Sequence, residues 1–220
     1  MALSVRRHEQ LSVAVVANPL VDRVYAKLSP VYDMIFGAPL QAGRVAAVAR
    51  MNIRSGDRVL EVGVGTGINT SLYPADCRVT AIDLSESMLE KARERVACER
   101  LRHVRLLAMD AEEMTFENDS FDSVYAPYLI SVVPDPVAVV REMYRVCRPG
   151  GRIVILNHFR SANPIVSRLE RAITPFTVHI GFKADLDLPG FLARAGLRPV
   201  SIEKVNRPRI WSLVTCMKAI

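Results

Sequence analysis

Val59-Leu60-Glu61-Val62-Gly63-Val64-Gly65-Thr66-Gly67 runs an apolar strand into three alternate glycines, with an acid two positions before the first. Glycine at Gly63, Gly65 and Gly67 lets the backbone turn sharply off a strand end and come within contact distance of a ligand, which a Cβ would prevent. The spacing distinguishes two kinds of adenosine ligand. A dinucleotide loop needs its third glycine one place later and aims a helix N-terminus at a pyrophosphate. Position 68 is isoleucine, and Glu61 places a negative charge near the loop, which repels a phosphate and suits a cation. S-adenosylmethionine, with an ammonium, a sulfonium and no phosphate, fits this chemistry, and Thr66 lies within the loop that would hold it.

The next strands extend the site. Arg78 to Asp83 reads as a buried parallel strand ending in a carboxylate 20 residues beyond Gly63, placed to accept ribose hydroxyls. His103 to Ala108 is a third strand, followed by Asp110 and Ala111, where a carboxylate meets the adenine amino group. Phe121 to Tyr125 is a fourth, entered through the turn cluster Asn118-Asp119-Ser120. Any one of these acids alone would read as a solvated loop residue or a helix cap. Three at successive strand ends read as a cofactor site. Ser85 to Cys98 has helical spacing at Met88, Leu89, Ala92 and Val96 behind an N-cap serine, and Pro134 to Val146 is a second helix before Pro-Gly-Gly. Arg152 to Leu156, Arg198 to Glu203 and Arg209 to Cys216 supply three more strands. Strands alternating with helices predict a doubly wound α/β sheet.

These motifs resemble the class I S-adenosylmethionine-dependent methyltransferases over roughly residues 56 to 159. The resemblance is carried by Leu60 to Gly67, by Ala81-Ile82-Asp83-Leu84-Ser85 with Met88, and by Arg145-Val146-Cys147-Arg148-Pro149-Gly150-Gly151. It implies a single Rossmann-like domain with a seven-stranded, mostly parallel sheet of order 3-2-1-4-5-7-6, strand 7 antiparallel. It assigns Glu61, Gly63, Gly65, Thr66, Gly67, Asp83, Leu84, Met88, Asp110 and Ala111 to the cofactor.

The chain has 220 residues, half of them apolar, enough to bury a core without a staple. Its four cysteines and four histidines have no metal or redox spacing, so no metal is expected and the cysteines read as small buried hydrophobes of a reducing compartment. No apolar run reaches the ~20 residues that a membrane-spanning helix requires. The apolar stretch from Leu11 to Ala17 is short, carries Ser12 and lacks a small-x-small cleavage site, which argues against a secretory signal.

Charge is unevenly spread. Residues 1 to 50 carry six basic and three acidic side chains, residues 51 to 150 carry 12 and 16, and residues 151 to 220 carry 11 and four. An acidic cofactor core with basic flanks implies an anionic partner. With no dense Lys/Arg tract and no aromatic stacking platform, nucleic acid is disfavoured. Leu20, Val21, Val24, Tyr25 and Leu28 share a helical face opposite Asp22, Arg23 and Lys27, and Val31, Tyr32, Ile35 and Phe36 repeat the pattern. Such a face either packs on the domain or lies in a lipid headgroup layer. Residues 1–50 are therefore expected to form N-terminal amphipathic helices, a membrane and substrate lid, over a methyltransferase domain at 51–220.

Tyr25 to Asp33, Phe36-Gly37, Gly43-Arg44, Ser131 to Pro136 and Asn157-His158-Phe159 look like bacterial phosphatidylethanolamine N-methyltransferases of the Rhodobacter type, whose relatives are quinone-ring C-methyltransferases. That resemblance implies a phospholipid substrate methylated to phosphatidylcholine, an anionic membrane surface as partner, a monomer, and a place on the inner face of the cytoplasmic membrane. Tyr25, Tyr32 and Tyr128 would surround the headgroup, holding the methylated cation by cation–π attraction of ~0.5 to 2 kcal/mol per face. His158 would anchor phosphate or accept a proton. Arg160 would bind phosphate oxygens, with His179 and Lys183 as second choices. The alternatives are a quinone-precursor C-methyltransferase and a non-catalytic S-adenosylmethionine-binding membrane adaptor.

Overall fold

Val59, Leu60, Glu61 and Val62 are all fully buried because β1 (Arg58–Val62) lies between two parallel partners and has helices on both faces. The computed structural model describes residues 37–160, 186–207 and 209–220. Outward from β1 on one side come β2 (Arg78–Asp83) and β3 (Val104–Ala108), and on the other β4 (Phe121–Pro127), β5 (Cys147–His158), β7 (Trp211–Met217) and β6 (Pro199–Val205). The order is 3-2-1-4-5-7-6, with β7 antiparallel to both its neighbours, as the family resemblance implies.

Helix α1 (Gln41–Met51) and helix α2 (Glu86–Cys98) cover one face, where Ala47, Met51 and Leu89 meet Val59, Val79, Tyr125 and Val154. Helix α3 (Pro136–Val146) and helix α4 (Leu188–Ala195) cover the other, packing Val139, Val140, Met143 and Phe191 onto Leu60, Val124 and Ile155. The expected division at residue 50 falls in the last turn of α1, a helix packed on the sheet. Residues 1–36 lie outside the described residues.

Three local expectations differ from the structure. Helix α3 starts two residues later than Pro134, because the Asp135 carboxylate caps it by accepting the Val137 and Ala138 N–H groups at 2.9 and 3.0 Å. Pro149-Gly150-Gly151 lies inside β5 and not before it. Gly150 has φ +72°, and a Cβ on Gly151 would stand 2.8 Å from the Asp122 carbonyl, so the glycine pair forms an irregularity where pairing with β4 skips from Phe121–Cys147 to Ser123–Arg152. Cys98 is exposed, whereas Cys77, Cys147 and Cys216 are buried as expected.

The loop after β3 carries Asp110 and Ala111, and α3 holds it. Arg145 donates to the carbonyls of Met114 at 2.8 Å and Phe116 at 2.7 Å and to Asn118 Oδ1 at 2.9 Å, while two of its nitrogens bind the Glu142 carboxylate. Glu142 in turn accepts the Met114 N–H at 2.8 Å, and Arg145 holds its carboxyl below the usual range. Replacing Arg145 with leucine strands two loop carbonyls. Urea unfolding is expected to show a loss of about 2 kcal/mol. An unchanged urea midpoint would refute this role.

Candidate active site

The carboxyl ends of all five parallel strands meet at one edge, and the order reverses between β1 and β4, which is where an open sheet of this kind forms its ligand crevice. The candidate cofactor residues follow β1, β2 and β3. The described substrate candidates follow β4 and β5, one and two strand spacings from β1, about 5 and 10 Å.

The glycine loop turns as its composition requires. Gly63, Gly65 and Gly67 all have φ between +55° and +78°. A Cβ on Gly63 would lie 2.8 Å from the Leu129 side chain, and one on Gly67 would lie 3.2 Å from the backbone of Ala92, so Gly67 sets the close approach of α2. A Cβ on Gly65 would meet nothing within 4 Å, so this residue faces open space at the crevice. The N–H groups of Gly63 and Val64 both donate to the Ile82 carbonyl, at 2.8 and 2.9 Å.

Asp83 closes the loop. Its Oδ2 accepts the Gly65 N–H at 2.8 Å and its Oδ1 the Ser85 N–H at 2.9 Å, which sets the carboxylate at the mouth of the loop. Leu84 is exposed beside it and Met88 is buried beneath. Asp110 Oδ1 accepts the Glu112 N–H at 2.8 Å, and Asp110 and Ala111 are half-buried. Thr66 is buried, its carbonyl accepting Arg95 Nε at 3.1 Å.

Glu61 departs from the expectation of a charge open to the crevice. It is wholly buried, with Oε1 accepting Asn69 Nδ2 at 2.6 Å and Oε2 accepting the Tyr73 hydroxyl at 2.7 Å. Burial pushes its carboxyl up to about 7; the Asn69 and Tyr73 hydrogen bonds and the Arg44 charge oppose that rise, and Asp83 adds to it. Neither Asn69 nor Tyr73 was singled out in the sequence: they sit in an irregular segment whose only signal is its nearness to the glycine loop. Asn69 Oδ1 is buried without a hydrogen-bond partner, an acceptor that suits an ammonium donor. The open face at Gly65, the Asp83 carboxylate and this unmatched acceptor together fit S-adenosylmethionine.

On the substrate side the geometry narrows the expectations. Tyr128 has φ +56° and is held at 2.6 Å by its N–H to the Leu156 carbonyl. Its hydroxyl donates to the Leu40 carbonyl at 3.2 Å and accepts Asn206 Nδ2 at 3.0 Å, and the Arg44 guanidinium stands 5.3 Å from its ring centre. The hydroxyl is thus engaged, and a guanidinium already stands over the ring. Asn206, missed in the sequence, also accepts the Gly43 N–H at 2.6 Å through Oδ1, and any Cβ at Gly43 would collide with it at 2.7 Å.

His158, 8% exposed at the end of β5, meets Trp211 edge-on at 6.3 Å. Asn157 before it donates to the His158 carbonyl at 2.7 Å and accepts the Ser131 N–H and hydroxyl, both at 3.3 Å, joining the two segments past β4 and β5. Arg160 is ion-paired with Asp187 at 2.7 Å, so a phosphate there would compete with a carboxylate for its remaining donors. Tyr25, Tyr32, His179 and Lys183 lie outside the described residues. Among the described residues no cluster of His, Cys, Asp or Glu is placed to hold a metal ion, and no helix is long and apolar enough to cross a membrane.

Comparison with known proteins adds to this geometry. Residues 60–155 match a family model described as a methyltransferase domain. The phosphatidylethanolamine N-methyltransferase of Cereibacter sphaeroides is 44% identical over 166 residues, covering 75% of this chain and 81% of that one. A demethylmenaquinone methyltransferase of Staphylococcus aureus is 32% identical over 169 residues, 73% of this chain and 69% of that one. Among solved structures, the Haemonchus contortus phosphoethanolamine N-methyltransferase 2 in complex with S-adenosyl-L-methionine superposes with a TM-score of 0.71 at 20% identity, over 90% of this chain and 57% of that one, a likeness of fold.

Two substitutions probe the cofactor half. Asp83→Ala removes the acceptor of the Gly65 and Ser85 N–H groups and is expected to weaken S-adenosylmethionine binding by tenfold or more in calorimetric titration, since hydrogen bonds to a charged group contribute about 1.5 to 3 kcal/mol each; wild-type affinity would refute the assignment. Glu61→Gln tests the buried carboxyl. Because the folded protein holds this proton more tightly than the unfolded chain, the stability it contributes is full below about pH 4.5 and is lost as pH rises through 7. Wild type minus variant melting temperature is therefore expected to fall between pH 5 and 8, whereas parallel curves would count against a raised carboxyl.

Proposed function

The chain belongs to the S-adenosyl-L-methionine-dependent methyltransferases, and from that premise we propose that it methylates the amine of phosphatidylethanolamine, passing through the monomethyl and dimethyl lipids to phosphatidylcholine. The observation that carries this reading is the 44% identity to the Cereibacter enzyme of that name, against 32% to the quinone enzyme, over similar shares of the chain.

Bound S-adenosylmethionine supplies an electrophilic methyl on a sulfonium. The protein's part is alignment and exclusion of water. The glycine loop and Asp83 fix the donor on the β1–β2 side, while Tyr128 and His158 face the acceptor from the β4–β5 side. The acceptor nitrogen has to be neutral to attack, so an ammonium must lose a proton before each transfer. His158 is the described residue suited to take it, and desolvation of the amine lowers its pKa in the same direction. The ring of Tyr128 is suited to a cation–π contact that survives as N–H donors are replaced by methyls. Arg160 is suited to the lipid phosphate if Asp187 yields its place.

The reaction belongs at a membrane surface, and we place the enzyme peripherally on the inner face of the cytoplasmic membrane, where anionic lipid would attract its basic flanks. Purified protein with labelled S-adenosylmethionine and liposomes containing phosphatidylethanolamine is expected to yield labelled monomethyl, dimethyl and trimethyl lipids on thin-layer separation. No labelled lipid from protein that still binds the cofactor would refute the substrate. Label appearing only in a demethylmenaquinone acceptor would assign the quinone reaction in its place.

A further inference from the structure

The hairpin between β6 and β7 ends at the same edge of the sheet as the crevice, because Trp211, the first residue of β7, is paired with His158, the last of β5. The described residues of its tip are tied down. Asn206 and Arg209 adopt φ +57° and +64°, and the Arg209 N–H closes the turn onto the Asn206 carbonyl at 2.6 Å. The Asn206 side chain, 7% exposed, ties the tip inward to Gly43 of α1 and to the Tyr128 hydroxyl. Trp211 adds a ring contact to His158. What the tip turns outward is basic and aliphatic: Arg207, Arg209 and Ile210 are all exposed, Ile210 by 38%.

These two arginines serve no visible structural purpose. Some guanidinium groups among the described residues are used internally, as where Arg145 holds a loop, Arg50 binds Glu203, Arg148 binds Asp122 and Arg160 binds Asp187; others, such as Arg78, Arg105 and Arg141, are not, and what sets this pair apart is its place beside the crevice edge. Neither Arg207 nor Arg209 makes a side-chain hydrogen bond or ion pair among the described residues. The sequence also has no acidic residue from Lys204 to Ile220, so the nearest acid on this hairpin is Glu203, which pairs with Arg50.

We infer that the β6–β7 tip is a docking element for an anionic phospholipid surface, with Arg207 and Arg209 meeting headgroup phosphates and Ile210 entering the boundary of the acyl layer. This names the contact that would bring the crevice to the membrane, and it rests on the membrane-surface reading of the function. Lipid is favoured over nucleic acid because the apolar member of the tip is an aliphatic side chain, and a single-stranded nucleic acid would call for an aromatic platform. The internal ties matter as much as the charges. A tip fixed to Gly43, Tyr128 and His158 holds the crevice in one orientation to the bilayer.

Flotation with phosphatidylglycerol/phosphatidylcholine vesicles that contain no phosphatidylethanolamine tests the contact without the reaction. Each basic residue near an acidic bilayer multiplies partitioning by roughly fivefold, so R207Q/R209Q is expected to lose on the order of 30-fold. The exposed Val200 and Ile202 stand on the same strand about 17 to 23 Å from Arg207, so V200S/I202S is expected to float as wild type does. Both variants are expected to retain S-adenosylmethionine binding, and R207Q/R209Q to retain turnover of short-chain phosphatidylethanolamine dispersed as monomers. The inference is overturned if wild type does not float, if R207Q/R209Q floats as well as wild type, if V200S/I202S falls equally, or if wild type is retained on RNA more tightly than on these vesicles. An enzyme that floats as expected but methylates no lipid would sink the proposed substrate and leave the docking element standing.

Discussion

The Asp83 carboxylate, taking the N–H of Gly65 with one oxygen and that of Ser85 with the other, ties the end of β2 to the loop leaving β1 and to the start of α2. With the two N–H groups that the loop gives to the Ile82 carbonyl, this fixes the backbone beside which the adenosyl group would lie. Gly67 adds the third constraint, since its φ of +78° strains any residue with a Cβ and that Cβ would crowd Ala92. The rest of the crevice is arranged around that clamp: an acid-bearing half on β1 to β3 and an aromatic, imidazole-bearing half on β4 and β5.

Beneath the clamp lies Glu61, whose position on β1 the sequence located and whose environment it did not. An acid two residues before the first glycine reads as charge presented to a ligand. In the fold its side chain is sealed by Asn69 and Tyr73, and desolvation opposes its ionisation. A cation arriving at the loop would draw the proton away.

The fold was largely legible because its signals are local. Strand runs ending in acids, alternate glycines and helix-period apolar residues each need a window of a few residues, and the order of strands follows from the family those motifs resemble. Boundaries slipped where a side chain decided the matter, as at Asp135, or where glycines served an irregular strand instead of a helix stop, as at Gly150 and Gly151. The site was legible on its cofactor half for the same reason. Its substrate half depends on partners far apart in the chain: Asn206 reaches Gly43 and Tyr128, Arg145 reaches Met114, and Asn157 reaches Ser131. No periodicity announces such pairs. The Tyr128 hydroxyl, which bonds to Leu40 and Asn206, fastens the crevice through two such distant partners.

The placement of β7 between β5 and β6 carries a consequence for how the chain becomes an enzyme. β7 follows β6 in the chain and fills the position between β5 and β6, so in the described sheet β5 keeps an open edge and β6 lacks its neighbour until β7 is made. The clamp at Asp83 can assemble long before that moment. Asn206, by contrast, is held at its post by the strand that follows it, so the donor side of the crevice can form before β7 is made and the acceptor side only after it.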